Sequence, residues 1–243
     1  MNASSQRLCA WAGPVCILVF FIGFWPVAGF MPPPSPNAGA AEIAAFYRDN
    51  TTSIRLGLVL GMFAASLLGP WSAGISVQLK RIEGQHSPLT YTQLVLGAAL
   101  PLIFIFPMMT WEVAAFRPGR PPDQTLLLND LAWLPFVGVV FTGVPWALAI
   151  ALAILKDARP VPIFPRWSGY LTLWVTLIFV PGCLCVFFKT GPFGWNGVLT
   201  FWMVILVFAL WLLTFSWLML AAIGRQRREA VGEDYRAVPQ GVG

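Results

Sequence analysis

Charge is what this chain has least of. Of its 243 residues 10% are charged, against about 25% in soluble domains. Hydrophobic residues make up 58% of it, and mean hydropathy is +0.73. A water-soluble fold of this length cannot hide so much apolar surface, so the solvent is lipid. Histidine is almost missing. The one imidazole, His86, lies in the turn EGQHSP, which excludes His-box di-iron sites and bis-His haem. The four cysteines (Cys9, Cys16, Cys183, Cys185) all fall in apolar runs without a C-x-x-C, and read as small buried hydrophobes. There is no zinc ligand set, P-loop or nucleophile elbow. Neither metal, cofactor nor nucleic-acid partner is expected, and without an ATPase domain or a central acid, neither is primary pumping.

What the chain does have is long oily runs. A bilayer core of about 30 Å needs roughly 20 apolar residues in a helix, and six runs qualify: 8–30, 54–78, 91–116, 131–155, 167–188 and 197–223. Strand-type alternation is absent, and backbone satisfaction in lipid makes these helices. The expected fold is an all-α polytopic bundle of six transmembrane helices. It forms one domain over 1–223, followed by a cytoplasmic tail, 224–243, without order beyond its first turn. The first run exceeds the 7–15 residues of a signal-peptide core and lacks a good cleavage site, so it reads as a retained span.

Basic residues set the expected orientation. With the N-terminus inside, Arg7, Lys80, Arg81, Lys156, Arg159, Arg166, Arg225, Arg227, Arg228 and Arg236 are cytoplasmic, and Arg48, Arg55, Arg117, Arg120 and Lys189 lie outside. This bias places both termini in the cytoplasm and the protein in the cytoplasmic membrane. Trp25, Trp111, Trp133 and Trp195 would form an outer interfacial belt, and Trp11, Trp167 and Trp217 an inner one. Between spans one and two, Ile43, Phe46 and Tyr47 in AAEIAAFYRDN predict a short amphipathic helix lying on the outer surface.

Two patterns concern packing. Gly57, Gly61, Ala65, Gly69 and Ala73 recur every fourth residue along span two, a stripe that lets another backbone approach closely. It predicts intramolecular packing, with a homo-oligomer or a membrane-protein partner as the alternative. Gly143, Ala147 and Ala151 of span four offer a facing stripe. Prolines interrupt five of the spans. Pro101 and Pro107 of span three would free carbonyls near 97 and 103, and such bends can leave a mid-membrane cavity.

The few acidic groups near the membrane point to a site. Glu112 lies nine residues beyond Ile103, roughly 13 Å from the midplane, where the penalty for a charge has largely faded. Asp130, Arg55 and Lys189 fall on the same side. The expectation is an outward-facing pocket with a charged rim of Glu112, Asp130, Arg55 and Lys189 and a floor bearing Trp111 and Trp133. It would bind or pass a small lipophilic molecule, or assist a partner that does, alongside the surrounding bilayer lipid. The rival is an intramembrane enzyme acting on a lipid or terpenoid-like substrate, with Glu112 or Asp130 as general acid or base and the tryptophans against an apolar ligand or developing cation. A structural subunit using the glycine stripe is a third reading.

The stretches LNDLAW (Leu128–Trp133), FPRWSGY (Phe164–Tyr170) and FFKTGPFGWNG (Phe187–Gly197), with AAEIAAFYRDN upstream, resemble a bacterial family of small six-span integral membrane proteins with no assigned activity. The resemblance covers about 35 to 223. It implies the six-span fold and no catalytic residue.

Overall fold

The computed structural model describes residues 2–237. Among these it contains helices and turns and no strand. Six helical stretches are long and apolar enough to cross a membrane: Ala3–Val27, Thr51–Glu83, Pro88–Phe116, Pro122–Leu155, Arg166–Val186 and Gly191–Glu229. All six expected spans are present. This is an all-α helix bundle with six helices fit by length and composition to cross a membrane.

Several spans are not continuous α-helices, and proline chemistry explains much of this. Span one is α1 (Ala3–Ile22), which widens into a π-helical turn over Gly23–Val27 around Pro26. Span two divides at Leu67 into α3 (Thr51–Ser66) and α4 (Leu68–Glu83). Span four is broken outright. α6 (Pro122–Gly138) stops, four residues run without helix, and α7 (Gly143–Leu155) begins. Pro135 and Pro145 flank that gap, each lacking an amide donor. Span five is α8 (Arg166–Phe179), tightening into a 3₁₀ stretch over Val180–Val186 that opens on Pro181. Span six starts as a π-turn, Val198–Trp202, before α9 (Met203–Ala237). Span three, α5 (Pro88–Phe116), keeps its helix through Pro101 and Pro107. α9 is helical as far as Ala237, so most of the segment expected to lose order continues span six; 238–243 lie outside the described residues.

α2 (Ala40–Asp49) departs from expectation. Ile43 and Tyr47 are 2% and 1% exposed, and the helix packs on α6. Its apolar face meets protein rather than lipid. The tryptophans divide similarly. Trp11, Trp25, Trp167 and Trp217 are exposed, as interfacial residues are, whereas Trp111, Trp133 and Trp195 are core. A second indole cluster lies deeper, where Trp71, Trp146 and Trp211 pack with ring centroids 5.2–6.2 Å apart.

The glycine stripe is used inside the chain. Gly57 lies against Gly23 and Ala28 of span one, where a Cβ would stand 2.7 Å from the Ala28 nitrogen. Gly61 faces Met108 of span three at 3.0 Å, and Ala65 is fully buried. Gly69 has nothing nearer than Pro101 at 4.0 Å, and Ala73 is half-buried. The stripe's partners are therefore spans one and three. Gly143 of the second stripe lies instead beside Phe179 of span five.

At the end of the bundle opposite α2, Asp157 organises the turn between α7 and α8. It accepts from the Arg159 guanidinium at 2.9 Å and from the Ile163 and Arg159 amides, while Arg225 donates to the Ile163 carbonyl. Burial alone would raise its pKa, but the Arg159 side chain and those two amides outweigh it and hold the carboxyl below the usual range.

Two outcomes test this packing. Gly57→Ala should cost about 1–3 kcal/mol of stability through overpacking, while Gly69→Ala should leave the melting temperature in detergent unchanged or slightly raised; equal effects would contradict the placement of the stripe. Because the folded pKa of Asp157 is depressed, its contribution is complete above about pH 3.9 and fades as pH falls through the folded value. Acid melting curves of Asp157→Asn should lack that component.

Candidate functional site

The six residues expected to form one site lie at the α2 end, and they do two different things. Glu112, on the last turns of α5, pairs with Arg55 on the first turns of α3 at 3.8 Å. The Arg55 guanidinium also lies over the Phe116 ring at 5.6 Å. Its side chain is half exposed and the contact is long, so the pair contributes at most about 1 kcal/mol. Asp130, on α6, accepts from the neighbouring Asn129 side chain at 3.4 Å, with exposed Lys189 within electrostatic reach. Of the charged rim, Glu112 and Arg55 thus form an ion pair, and Asp130 is hydrogen-bonded to Asn129.

Trp111 and Trp133 are not the floor of an open pocket. Both are fully buried, edge to face at 4.7 Å, inside a plug that includes Phe24, Phe30 and Phe136. Each such pair adds about 0.5–1.5 kcal/mol beyond its buried area. The indole nitrogens of both, and Oε1 of Glu112, are buried without a hydrogen-bond partner. Above the plug, buried Tyr47 donates to Asn129 Oδ1 at 3.2 Å and ties α2 to α6. Burial, and next the negative charge of Asp130, push the Tyr47 phenol well above its usual value and keep it a donor. Trp195 donates to the Pro34 carbonyl at 2.8 Å, and Asn37 donates to the Lys189 carbonyl at 3.4 Å. The proline-rich segment and the 189–197 hairpin therefore close over this end together.

The hollow lies deeper. A cavity of about 140 Å³ opens in the middle of the bundle, among Cys16, Phe20, Ala65, Phe104, Phe136 and Phe208. Those positions are near the midpoints of their spans. The unwound stretch of span four lines it through Val139, Val140 and Thr142, followed by Gly143 and Trp146 of α7. No lining side chain is charged, and none of Glu112, Asp130, Arg55, Lys189, Trp111 or Trp133 is among them. This cavity is separate from the expected outward site; Phe136, which touches both the plug and the cavity, lies between the two. Bent helices were legible as a signal for a mid-membrane hollow. The wall residues Thr142 and Trp146 were not singled out, because a lone Thr and a Trp in an apolar run look like packing.

A second polar group was also missed. Gln93, fully buried on α5, donates to Ser72 Oγ at 2.6 Å and accepts from Ser76 of α4, while Gln78 donates to Gln6 of α1 at 2.7 Å. These amides pair across helices, as buried polar groups in lipid must. Among the described residues no group of His, Cys, Asp and Glu is placed to hold a metal ion. Comparison with protein-family models, curated proteins and solved structures finds no match.

Tyr47→Phe should cost about 1–3 kcal/mol, because it leaves the Asn129 carbonyl buried without a donor. Glu112→Gln should change stability by no more than about 1 kcal/mol. Chemical denaturation in mixed micelles ranks the two; the reverse order would place the structural weight on the ion pair.

Proposed function

We propose that this protein binds a small lipophilic molecule inside the membrane, in the mid-bundle cavity and not in a pocket at the charged rim. One observation carries the reading: an uncharged hollow stands where spans four and six depart from regular α-helix. At membrane depth, irregular backbone is tolerated only where protein buries it or where it lines a cavity. The volume resembles that of an engineered cavity of roughly 150 Å³ that stays dry and takes up benzene, so a ring or a stretch of hydrocarbon chain fits. The wall contains no carboxylate to act as acid or base, which favours binding over catalysis at this place. The glycine stripe is engaged within the chain, which weakens the case for a purely structural subunit. We place the α2 end outside the cytoplasmic membrane, with both termini in the cytoplasm, on the distribution of Lys and Arg.

The test is saturable binding of 4-fluorocumene to the purified protein in lipid nanodiscs, followed by ¹⁹F NMR against protein-free discs. A protein-dependent resonance should disappear in Ala65→Phe and Ala209→Phe, whose new rings fill the cavity, and persist in Glu112→Gln and Asp130→Asn. A signal that ignores the filling substitutions, or that depends on the two carboxylates, would put the site elsewhere.

A further inference from the structure

The cavity is apolar but not featureless. Thr142 occupies the N-cap position of α7, where a threonine oxygen ordinarily accepts from the amide two or three residues on. Here the local sequence T-G-V-P denies it both. The Val144 amide is already bonded to the Val140 carbonyl at 3.2 Å, and residue 145 is proline, with no amide hydrogen. The Thr142 side chain makes no cap bond, and its Oγ1 is buried without any partner. Four residues back, the carbonyl of Gly138 accepts instead from the Val140 amide at 2.9 Å, whereas Thr172 and Thr176 place their hydroxyls on the carbonyls four residues before them.

One turn further along the same helix face, Trp146 repeats the pattern. Of the three indoles that pack together, Trp71 donates to Ser216 Oγ at 2.9 Å and Trp211 donates to Thr172 Oγ1 at 3.0 Å. Trp146 is fully buried, and its nitrogen has no partner. It is also the one of the three that lines the cavity. Its nitrogen lies beside Gly97 of α5, and the Ser72 side chain fills the place that a side chain at 97 would take. A buried donor without an acceptor costs about 1–3 kcal/mol, and two of them, four residues apart on one wall of one hollow, call for an oxygen.

Resting on the binding reading above, we infer that the occupant is a neutral lipophile carrying a hydrogen-bond-accepting oxygen, such as a ketone or quinone carbonyl, received by Thr142 and Trp146. Its hydrocarbon body lies against Phe20, Phe104, Phe136 and Phe208. Neutrality follows from the wall: no cationic side chain lines it, and an anion moved from water into such a site without a counter-charge is strongly disfavoured. The Thr142 hydroxyl now faces protein, and one rotation about χ1 exchanges it with the methyl group.

Two probes of nearly the same shape decide this. In 4-fluoroacetophenone a carbonyl oxygen stands where 4-fluorocumene has a methyl group. Binding of each to protein in nanodiscs is measured by ¹⁹F NMR, with partition into protein-free discs divided out. Wild type should prefer the ketone about fivefold to tenfold, the range expected of one good hydrogen bond. The preference should shrink in Thr142→Val and in Trp146→Phe and vanish in the double variant, while Thr142→Ser retains it. Undiminished cumene binding in the variants shows that the cavity is intact. If wild type binds both probes equally, or if the double variant still prefers the ketone, the oxygen site is wrong and the lipophile reading stands. If wild type binds neither probe, both fall.

Discussion

In hydrocarbon a backbone amide that loses its helical partner has no water to turn to, and each such loss costs several kcal/mol. That constraint shapes this bundle more than any single contact. Prolines and glycines interrupt its spans at 23–27, 139–142, 180–186 and 198–202, and every interruption has to be covered by neighbouring helices. The gap in span four is the most severe. It lies beside span five, where Gly182 fits closely against the Val137 carbonyl and the Val140 side chain. The packing that shields these irregular segments is also what leaves a hollow between them, since helices that change pitch cannot interdigitate along their whole length.

The two ends of the bundle solve different problems. At the α2 end, a plug of aromatic side chains fills the space, while the Tyr47–Asn129 bond and the hydrogen bonds of Trp195 and Asn37 fasten the covering helix and loops. At the other end, amides and hydroxyls pair across helices through Gln93 and Gln78, and Asp157 draws the turn after α7 together. Between them the cavity is bounded by groups that have little to offer one another except contact. Of the buried side-chain polar atoms without a partner among the described residues, only those of Thr142 and Trp146 belong to residues that line this cavity.

The helices themselves were legible, because lipid imposes a length and a composition that no other environment does. The charged residues near one end were legible too, and Glu112 and Arg55 do meet. What did not follow was that the mid-bundle cavity is lined by none of these residues. Trp111 and Trp133 look like interfacial anchors in one dimension, since they flank charged residues at the ends of runs. Only the approach of α5 to α6 buries them against each other. Likewise Ile43 and Tyr47 of α2 carry the same amphipathic signature whether their partner is a bilayer or a protein groove.

Hydropathy and spacing alone determined six helices long and apolar enough to cross a membrane, because those properties depend on each residue's own transfer from water and on neighbours three or four positions away. Tertiary structure decided where the void lies, which tryptophans are core, that the glycine stripe meets spans one and three, and that Thr142 and Trp146 are left without partners. Those are relations between residues far apart in sequence, fixed when broken helices settle against one another, and no local pattern encodes them.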